Sequence, residues 1–267
     1  MALSDIALLL FVNLALILVV MTGLWRLAVK LEDVSFVDGV WPLGMLMLAL
    51  VTWPRTDGDP MRSALLLGLC GLWALRLGWH LLRRWRALGA DRRYVAIVQT
   101  QKREKGWSFS RTSLLMVFLP QGFLAWLTCL PVQLGQVAAQ PAVGWIGWAG
   151  AGLAAVGILL ETIGDAQLTA FRNDPARKGQ VLDTGLWRYT RHPNYFGDAC
   201  VWWGLYLIAA ETGPGLWSIA GPLFLTFTLT RWSGIGITEK AIQHSRPGYA
   251  DYVKRTSAFI PWPPKRV

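Results

Sequence analysis

The sequence predicts an all-α integral membrane protein, a bundle of seven transmembrane helices with cytosolic cofactor-binding loops. Hydrophobic residues make up 54% of the 267 residues and charged residues only 16%, against about 25% charged in a typical soluble domain. Long apolar runs recur along the chain, and 23 of the 26 lysines and arginines lie beside alternate runs. This pattern is typical of a polytopic membrane protein.

The seven spans follow from segment length, because about 20 apolar residues cross ~30 Å of hydrocarbon. We predict spans at residues 6–25, 36–53, 63–82, 114–134, 143–163, 196–210 and 216–230. Pro120 and Pro131 interrupt the fourth span. The sixth span is short, so we expect the polar residues before it to be buried in protein and to complete the crossing.

The basic residues set the predicted orientation. They concentrate after the first, third and fifth spans and in the tail, which a seven-span chain places on one side. Lysines and arginines favour the cytosolic side, so the N-terminus is expected outside and the C-terminus in the cytosol, in a bacterial inner membrane or in the endoplasmic reticulum. This distribution explains the net charge of +10 without a nucleic-acid partner. Cys70, Cys129 and Cys200 form no CxxC pair or Cys/His cluster, so neither disulfides nor a metal site are expected.

Costly polar residues collect in the predicted cytosolic half of the bundle. Trp73, Arg76, His80 and Arg84 share one face of the third span at spacings of three and four, and Asp38 lies near the cytosolic start of the second. Ionisable residues inside a membrane span indicate a functional site, because lipid-facing placement costs about 2.5–3.5 kcal/mol or more. A packed core histidine and snorkelling arginines are the structural alternatives.

Glu161 and Asp165 lie four residues apart near the end of the fifth span. Two carboxylates at this spacing repel each other unless a cation or a donor bridges them. Arg76 and Arg172 are the candidate partners.

The stretch "RYTRHPNYFGDACVWWG", residues 188–204, places five polar side chains where the sixth span begins: Arg191, His192, Asn194, Tyr195 and Asp198. A helix-entry turn capped by Asn194 explains only part of this stretch. A basic, polar mouth that leads into an apolar bundle suits a charged cofactor and a hydrophobic substrate. The chain has no GxGxxG, Walker or HExxH motif, so a nucleotide has to bind among the helices and basic loops.

These residues resemble a known superfamily. The stretch "DTGLWRYTRHPNYFGD", with "ETIGDAQLTAFRNDPARKG" before it and "GYADYVKRTSAFIPWPP" in the tail, resembles the steroid 5α-reductase-like membrane reductases. The most similar branch is the bacterial family of unassigned function, DUF1295, and the core is also similar to that of the C14 and C24 sterol reductases. The resemblance covers about the last 110 residues well.

The resemblance implies that NADPH binds in the cytosolic half and that a carbon–carbon double bond of a lipid is reduced. In the single domain 1–267, residues 1–112 then form the substrate side and residues 113–267 the cofactor side. The implied cofactor-binding residues, with their polar neighbours at the mouth, are Arg84, Glu161, Asp165, Arg172, Lys178, Tyr189, Arg191, His192, Asn194 and Asp198. The implied catalytic residues are Asp38, near the position of the family's catalytic glutamate, Trp73, which aligns with its substrate-facing tyrosine, and Tyr195.

The leading hypothesis is therefore an NADPH-dependent membrane reductase, in which Asp38 or Tyr195 supplies the proton. The second hypothesis is a membrane methyltransferase of the isoprenylcysteine or phospholipid type that uses S-adenosylmethionine. Such enzymes typically have a Glu-Glu pair before the last segment, whereas this chain has Glu239 followed by Lys240. A lipid-binding or scaffold protein without a nucleotide site is the third. Membrane lipids are expected partners in each case.

Overall fold

The computed structural model describes residues 1–232, 234–236, 239 and 246–265. These residues contain twelve α-helices and no β-strand, so the predicted all-α fold class is confirmed. The helices are α1 (Leu3–Leu31), α2 (Val37–Thr52), α3 (Pro60–Leu88), α4 (Arg92–Lys105), α5 (Phe109–Ser113), α6 (Leu119–Thr128), α7 (Leu130–Gly135), α8 (Trp145–Asn173), α9 (Pro193–Ala209), α10 (Gly213–Leu216), α11 (Ala220–Phe227) and α12 (Tyr249–Arg255).

Four helices in the described part of the chain are long and apolar enough to cross a membrane, so the prediction of seven was wrong. The four are Leu3–Leu31, Val37–Arg55, Pro60–Leu88 and Trp145–Asn173. The outward faces of the long helices carry the exposed apolar side chains that a lipid-embedded bundle requires, among them Leu8, Phe11, Val19, Leu72, Leu75, Trp79, Val156, Leu159 and Ile163. The chain is thus a helical membrane protein with lipid-facing apolar surfaces.

The other three predicted spans are shorter or broken helices. Residues 114–134 form a π-helical turn, α6 and α7, because Pro120 and Pro131 cannot donate the backbone hydrogen bonds that a continuous ladder needs. Helix α9 has only 17 residues, and residues 216–230 divide among the end of α10, a 3₁₀ turn, α11 and a π-helical turn. Mean hydropathy does not register these interruptions.

The two ends of the bundle differ in character. At one end, the Trp25 indole donates to the Ser110 carbonyl at 3.0 Å and the Trp85 indole donates to Asp33 at 2.7 Å, which joins the end of α1 to α5 and the end of α3 to the loop after α1. We call this the basic end, since α4 and the end of α8 also lie there. At the opposite end, the Asp59 amide donates to the Ala138 carbonyl at 3.1 Å.

Glu211 closes the opposite end. Its carboxylate accepts hydrogen bonds from the amides of Gly144 and Gly147 at 2.9–3.1 Å, which caps the start of α8. It also lies 4.0 Å from the guanidinium of Arg62, a fully buried side chain that donates to the carbonyls of Ala138 and Pro141. Every one of these contacts is structural.

Helices α8 and α9 pack at very short range, and this positions the polar residues of both. A Cβ at Gly157 of α8 would lie 2.5 Å from the carbonyl oxygen of Gly197 on α9, and a Cβ at Gly204 would lie 2.5 Å from that of Gly150. Only glycine permits such a backbone approach, the usual device for joining helices in membranes. The polar ends of the two helices therefore meet without a layer of side chains between them.

Candidate functional site

A buried group of charged residues lies where α3, α8 and α9 meet. The Arg76 guanidinium from α3 pairs with Glu161 and donates to Asp165 Oδ2 at 2.6 Å. Glu161 is 3% exposed and Asp165 6%. Of the two candidate partners for this carboxylate pair, Arg76 is the one the structure places there. A cation between carboxylates one helical turn apart removes the repulsion that the sequence implied.

The first turn of α9 contributes the amide of this group. Asn194 donates from Nδ2 to Asp165 Oδ1 at 3.1 Å, and its Oδ1 accepts the backbone N–H of Tyr195 at 3.0 Å. His192 occupies the N-cap position, and Pro193 begins the helix. Asn194 is therefore a residue of α9 whose side chain contacts α8. It is not the N-cap of the helix, which is His192.

Asp198 lies one turn further along α9, buried to 8% exposure, and it faces Trp73 of α3. The rings of Trp73 and Trp202 are 5.1 Å apart and nearly perpendicular. We call the set of Arg76, Glu161, Asp165, Asn194 and Asp198 the Arg76 cluster. It brings together four of the predicted cofactor-binding residues.

The Arg76 cluster contains more carboxyl groups than cations. Three carboxylates surround one guanidinium, and the next basic group, His80 Nε2, lies 3.8 Å from Asp165. Charge buried without compensation costs several kcal/mol per ion. The arrangement favours a ligand that brings hydrogen-bond donors or positive charge. Among the described residues, no group of three or more His, Cys, Asp or Glu side chains has a metal-binding arrangement.

Two further arginines lie within electrostatic range of Arg172 at the basic end beside this cluster. Arg172, at the end of α8, lies within electrostatic range of Arg84 and Arg246 and of the Tyr195 hydroxyl. Arg84 contacts Asp91 at 3.2 Å and Arg246 donates to the Gln180 carbonyl at 2.6 Å. Arg172 makes no hydrogen bond or ion pair with any described residue. Like charges at close range with an unpaired member are the pattern of an anion site.

Arg191 and His192 belong to a different contact. Arg191 donates to Glu239 at 2.7 and 3.2 Å and to the carbonyls of Val253 and Thr256, and His192 Nε2 lies 3.1 Å from Glu239. Both predicted cofactor-binding side chains are buried. The structure therefore places them in an anchor for the C-terminal tail. His192 also stacks on Tyr195, with ring centroids 5.2 Å apart.

Two further predicted cofactor-binding residues lie outside both groups. The side chain of Tyr189 is 44% exposed, and its carbonyl accepts the Trp262 amide at 2.9 Å. Lys178 is exposed in the loop after α8. The structure brings neither side chain to the Arg76 cluster.

Asp38 lies in a second polar group, between α2 and α4. It accepts hydrogen bonds from the Tyr94 hydroxyl at 2.5 Å and from Arg93 at 2.9 Å, and Gln121 donates to the Tyr94 oxygen at 3.2 Å. The alternative pairing of Asp38 with Arg76 does not occur. Burial and the Asp38 carboxylate raise the pKa of Tyr94 well above its usual range, so the phenol keeps its proton at neutral pH.

Aromatic contacts connect the two polar groups. Trp41, one turn after Asp38, donates to the Gln121 carbonyl at 3.1 Å, and its ring lies 6.4 Å from that of Trp73. Trp73 in turn faces Asp198.

Sequence reasoning missed Tyr94 and assigned Glu239 no contact. Tyr94 lies in a polar helix that the sequence presents as a basic linker, so no periodicity marked it. Glu239 was noted only as half of an incomplete Glu-Glu pair. The sequence offered one signal for Glu239: an arginine and a histidine in the RHP turn require a carboxylate partner when they are buried.

The protein belongs to the class of helical membrane proteins, and it has a buried set of polar groups at the basic end of its bundle. The model of the family described as "Protein of unknown function (DUF1295)" matches residues 24–256, and the chain belongs to this family. The uncharacterized protein C594.04c of Schizosaccharomyces pombe is 23% identical over 270 residues, which cover 89% of this chain and 75% of the yeast protein. No solved structure matches the chain.

The Glu239 anchor predicts a specific dependence of stability on pH. Burial acts to raise the pKa of Glu239, but hydrogen bonds from His192 and Arg191 outweigh it and lower the pKa from 4.5 to about 2. The stabilisation is therefore complete above about pH 4.5 and is lost as the pH falls toward 2. We expect Glu239→Gln to lower Tm at pH 6 and the difference from wild type to shrink as the pH falls to 3.

Glu104→Gln serves as the control, because Glu104 is an exposed carboxylate on α4 with a distant partner, Arg103, at 3.7 Å. Its Tm should follow wild type at every pH. A difference between Glu239→Gln and wild type that stays constant from pH 6 to pH 3 would contradict the anchor.

Proposed function

We propose that this protein is an NADPH-dependent membrane reductase that reduces a carbon–carbon double bond of a hydrophobic substrate. The observation that carries the proposal is Arg172, which makes no hydrogen bond or ion pair with any described residue and lies within electrostatic range of Arg84, Arg246 and Asp165 of the Asp165–Asn194 pair. An anion site beside a carboxylate–amide pair matches NADPH, whose nicotinamide carboxamide is joined through a ribose to the pyrophosphate, with a further phosphate on the adenosine ribose.

The phosphate end fits the arginines. Guanidinium groups bind phosphate oxygens through paired, charge-assisted hydrogen bonds. Among the described residues, Arg172 has no partner that occupies its guanidinium, and Arg84 and Arg246 each use only part of theirs, in contacts with Asp91 and with the Gln180 carbonyl. We assign the cofactor phosphates to these three side chains.

The ring end fits the Arg76 cluster. Asp165 accepts and Asn194 both donates and accepts hydrogen bonds, which is the complement of a primary carboxamide. The rings of His192 and Tyr195 stack beside this pair, and the nicotinamide ring can pack against their flat surface. When bound, NADPH supplies the hydride. The chain's part is to fix the ring against α8 and α9 and to exclude water.

The second polar group supplies the proton in this proposal. Tyr94 is the donor in its contact with Asp38, so the phenol carries the transferable proton and Asp38 orients it. Asp38 therefore positions the proton donor and is not itself the acid. Our candidate acid is Tyr94, in place of the Asp38 or Tyr195 that the sequence suggested. Gln121 already donates to the phenol oxygen, and this hydrogen bond stabilises the phenolate that proton transfer leaves.

The membrane setting completes the proposal. We place the basic end in the cytosol, where NADPH is available and where lysines and arginines are favoured. The N-terminus of α1 then lies on the outer side. The resemblance of the segment 183–198 to steroid 5α-reductase-like enzymes supports the same reaction class, with a steroid, a sterol or another lipid as the substrate.

A methyltransferase that uses S-adenosylmethionine is the second candidate. Its supporting observation is the contact of Glu239 with Arg191 and His192, since such enzymes combine an RHP turn with a glutamate before the last segment. The excess of carboxyl groups over cations in the Arg76 cluster also suits a sulfonium cation. Arg172, which has no ion-pair partner among the described residues and has two arginines within electrostatic range, favours the phosphates of a dinucleotide over this ligand.

Arg172→Gln tests the cofactor site. Loss of a charge-assisted hydrogen bond costs about 1.5–3 kcal/mol, so we expect the Kd for NADPH to rise about 10- to 100-fold in titrations of purified protein. Arg103→Gln is the matched control, because Arg103 is an exposed arginine on α4. Wild-type affinity in folded Arg172→Gln protein would count against the site.

Tyr94→Phe tests the proton donor. We expect turnover, measured as NADPH consumption with membrane lipid extract, to fall by ~10²–10⁴ while NADPH affinity stays within about twofold of wild type. Asp38→Asn should lower turnover less, since it disturbs only the orientation. Tyr206→Phe, which removes a hydroxyl outside both polar groups, is the control. A large loss of Tm with normal turnover per folded molecule would show that the Asp38–Tyr94 contact is structural.

A further inference from the structure

An open cavity of about 770 Å³ lies between the turn before α9 and the C-terminal tail. Its charged lining residues are Asp183, Arg188, Arg255 and Lys265, and threonine, glycine and proline residues make up the rest. None of them belongs to the Arg76 cluster or to the three arginines that we assign to the cofactor phosphates. The proposed function therefore leaves this cavity unexplained.

Main-chain and side-chain hydrogen bonds hold the two walls of the cavity together. The Trp262 amide donates to the Tyr189 carbonyl at 2.9 Å, and Thr190 Oγ1 donates to the Phe259 carbonyl at 2.8 Å. These contacts tie the tail to the turn before α9. The Lys265 amide donates to the carbonyl of Arg255, the last residue of α12, at 2.9 Å. The fold therefore fixes both walls.

Three cations and one carboxylate line the cavity. Arg255 Nη2 lies 3.4 Å from Asp183 Oδ2, so this pair compensates one cation. Arg188 and Lys265 are exposed, and neither side chain makes a hydrogen bond or ion pair with any described residue. Two uncompensated cations beside a guanidinium suit a phosphate group, which accepts several charge-assisted hydrogen bonds.

The contacts of the turn before α9 place the cavity at the level of a membrane interface. The Trp187 indole donates to the Gly164 carbonyl at 3.1 Å, and the Leu186 amide donates to Gln167 Oε1 at 3.0 Å. Both acceptors lie near the end of α8. This helix has 29 residues, or about 43 Å of length at 1.5 Å per residue, so its ends pass beyond the ~30 Å hydrocarbon core into the headgroup layer.

The tail presents two large apolar side chains beside the cavity. Ile260 and Trp262 are 62% and 68% exposed, and residues 263–265, which follow them, line the cavity. Exposed tryptophan at headgroup level is a typical membrane anchor. A basic cavity next to an exposed apolar pair matches the two parts of a phospholipid at the interface, the phosphate and the upper part of its acyl chains.

We infer that this cavity binds the phosphate of an anionic phospholipid. Arg188, Arg255 and Lys265 contact the phosphate, and the tail packs against the lipid chains. The headgroup is anionic and not zwitterionic, because an ammonium group would find only one carboxylate, Asp183, and Arg255 already pairs with it. The inference goes beyond the proposed function and does not depend on it: this lipid is a bound membrane component and not the reductase substrate.

Two alternatives make different demands on these residues. A soluble phosphate compound would use the three cations but would leave Ile260 and Trp262 without a role. A surface that is merely basic, as cytosolic faces of membrane proteins are, would attract anionic lipid through every exposed cation alike. The experiment therefore compares cations inside and outside the cavity, and a phosphate with and without acyl chains.

Native mass spectrometry counts the lipids that remain bound to the full-length protein when detergent is removed. The protein is titrated with phosphatidylglycerol or with phosphatidylcholine of identical acyl chains. Arg188→Gln and Lys265→Gln each remove a cation that has no partner among the described residues, so both variants should fold. Lys254→Gln is the matched control, since Lys254 is an exposed cation next to Arg255 that pairs with Asp251 and does not line the cavity.

We expect one molecule of phosphatidylglycerol to bind about 10-fold or more tightly than phosphatidylcholine. Arg188→Gln and Lys265→Gln should each weaken phosphatidylglycerol binding about 10-fold, the low end for a charge-assisted contact because the cavity is open to solvent. Phosphatidylcholine binding should stay within about twofold of wild type. Lys254→Gln should bind both lipids as wild type does, and NADPH affinity should be unchanged in all three variants.

Equal affinity for the two lipids, or equal losses in Lys254→Gln and Arg188→Gln, would overturn the site, because either result indicates diffuse surface charge. Displacement of the lipid by inorganic phosphate or by glycerophosphoglycerol, the headgroup without chains, at concentrations near the lipid's own Kd would assign the cavity to a soluble phosphate. A loss of NADPH affinity in Arg188→Gln would assign it to the cofactor. Arg172→Gln reports separately on the proposed reductase.

Discussion

The Arg76 guanidinium, buried between Glu161 and Asp165, is the interaction on which the rest of the structure depends. It joins α3 to α8, and through the contact of Asp165 with Asn194 it also fixes the first turn of α9. Removal of a cation from such a group leaves uncompensated charge in a low-dielectric interior, which costs about 3–5 kcal/mol. In the proposed function the same cluster also contacts the cofactor.

Geometry decides which charged residues remain available for function. The glycine contacts between α8 and α9 bring Asp165 and Asn194 within hydrogen-bond distance. The tail then folds back, and Glu239 engages Arg191 and His192 completely. Arg172 has no such partner among the described residues. The RHP turn is the most recognisable part of the sequence, but its Arg191 and His192 anchor the tail. The candidate site consists of the Arg76 cluster and Arg172.

Sequence patterns predicted the helical class and the carboxylate pair that needs a cation, because these follow from composition and from spacing on one helix. The sequence left Arg76 and Arg172 as alternative partners, and only the packing of α3 against α8 selects Arg76. The span count failed because hydropathy averages over Pro120, Pro131 and the short α9. The sequence could not predict the partner of Asp38, for a different reason. Tyr94 comes from a polar helix 56 residues away, and only the tertiary fold brings that helix over α2.

The most direct test of the account follows the fate of two labels in one reaction. Purified protein is reconstituted with membrane lipid extract, NADPH tritiated at the transferable C4 position, and S-adenosylmethionine carrying ¹⁴C in its methyl group. The account predicts that tritium appears in the lipid fraction and ¹⁴C does not, and that Arg172→Gln lowers the tritium incorporated. Transfer of ¹⁴C to lipid without tritium would contradict the reductase and establish the methyltransferase in its place.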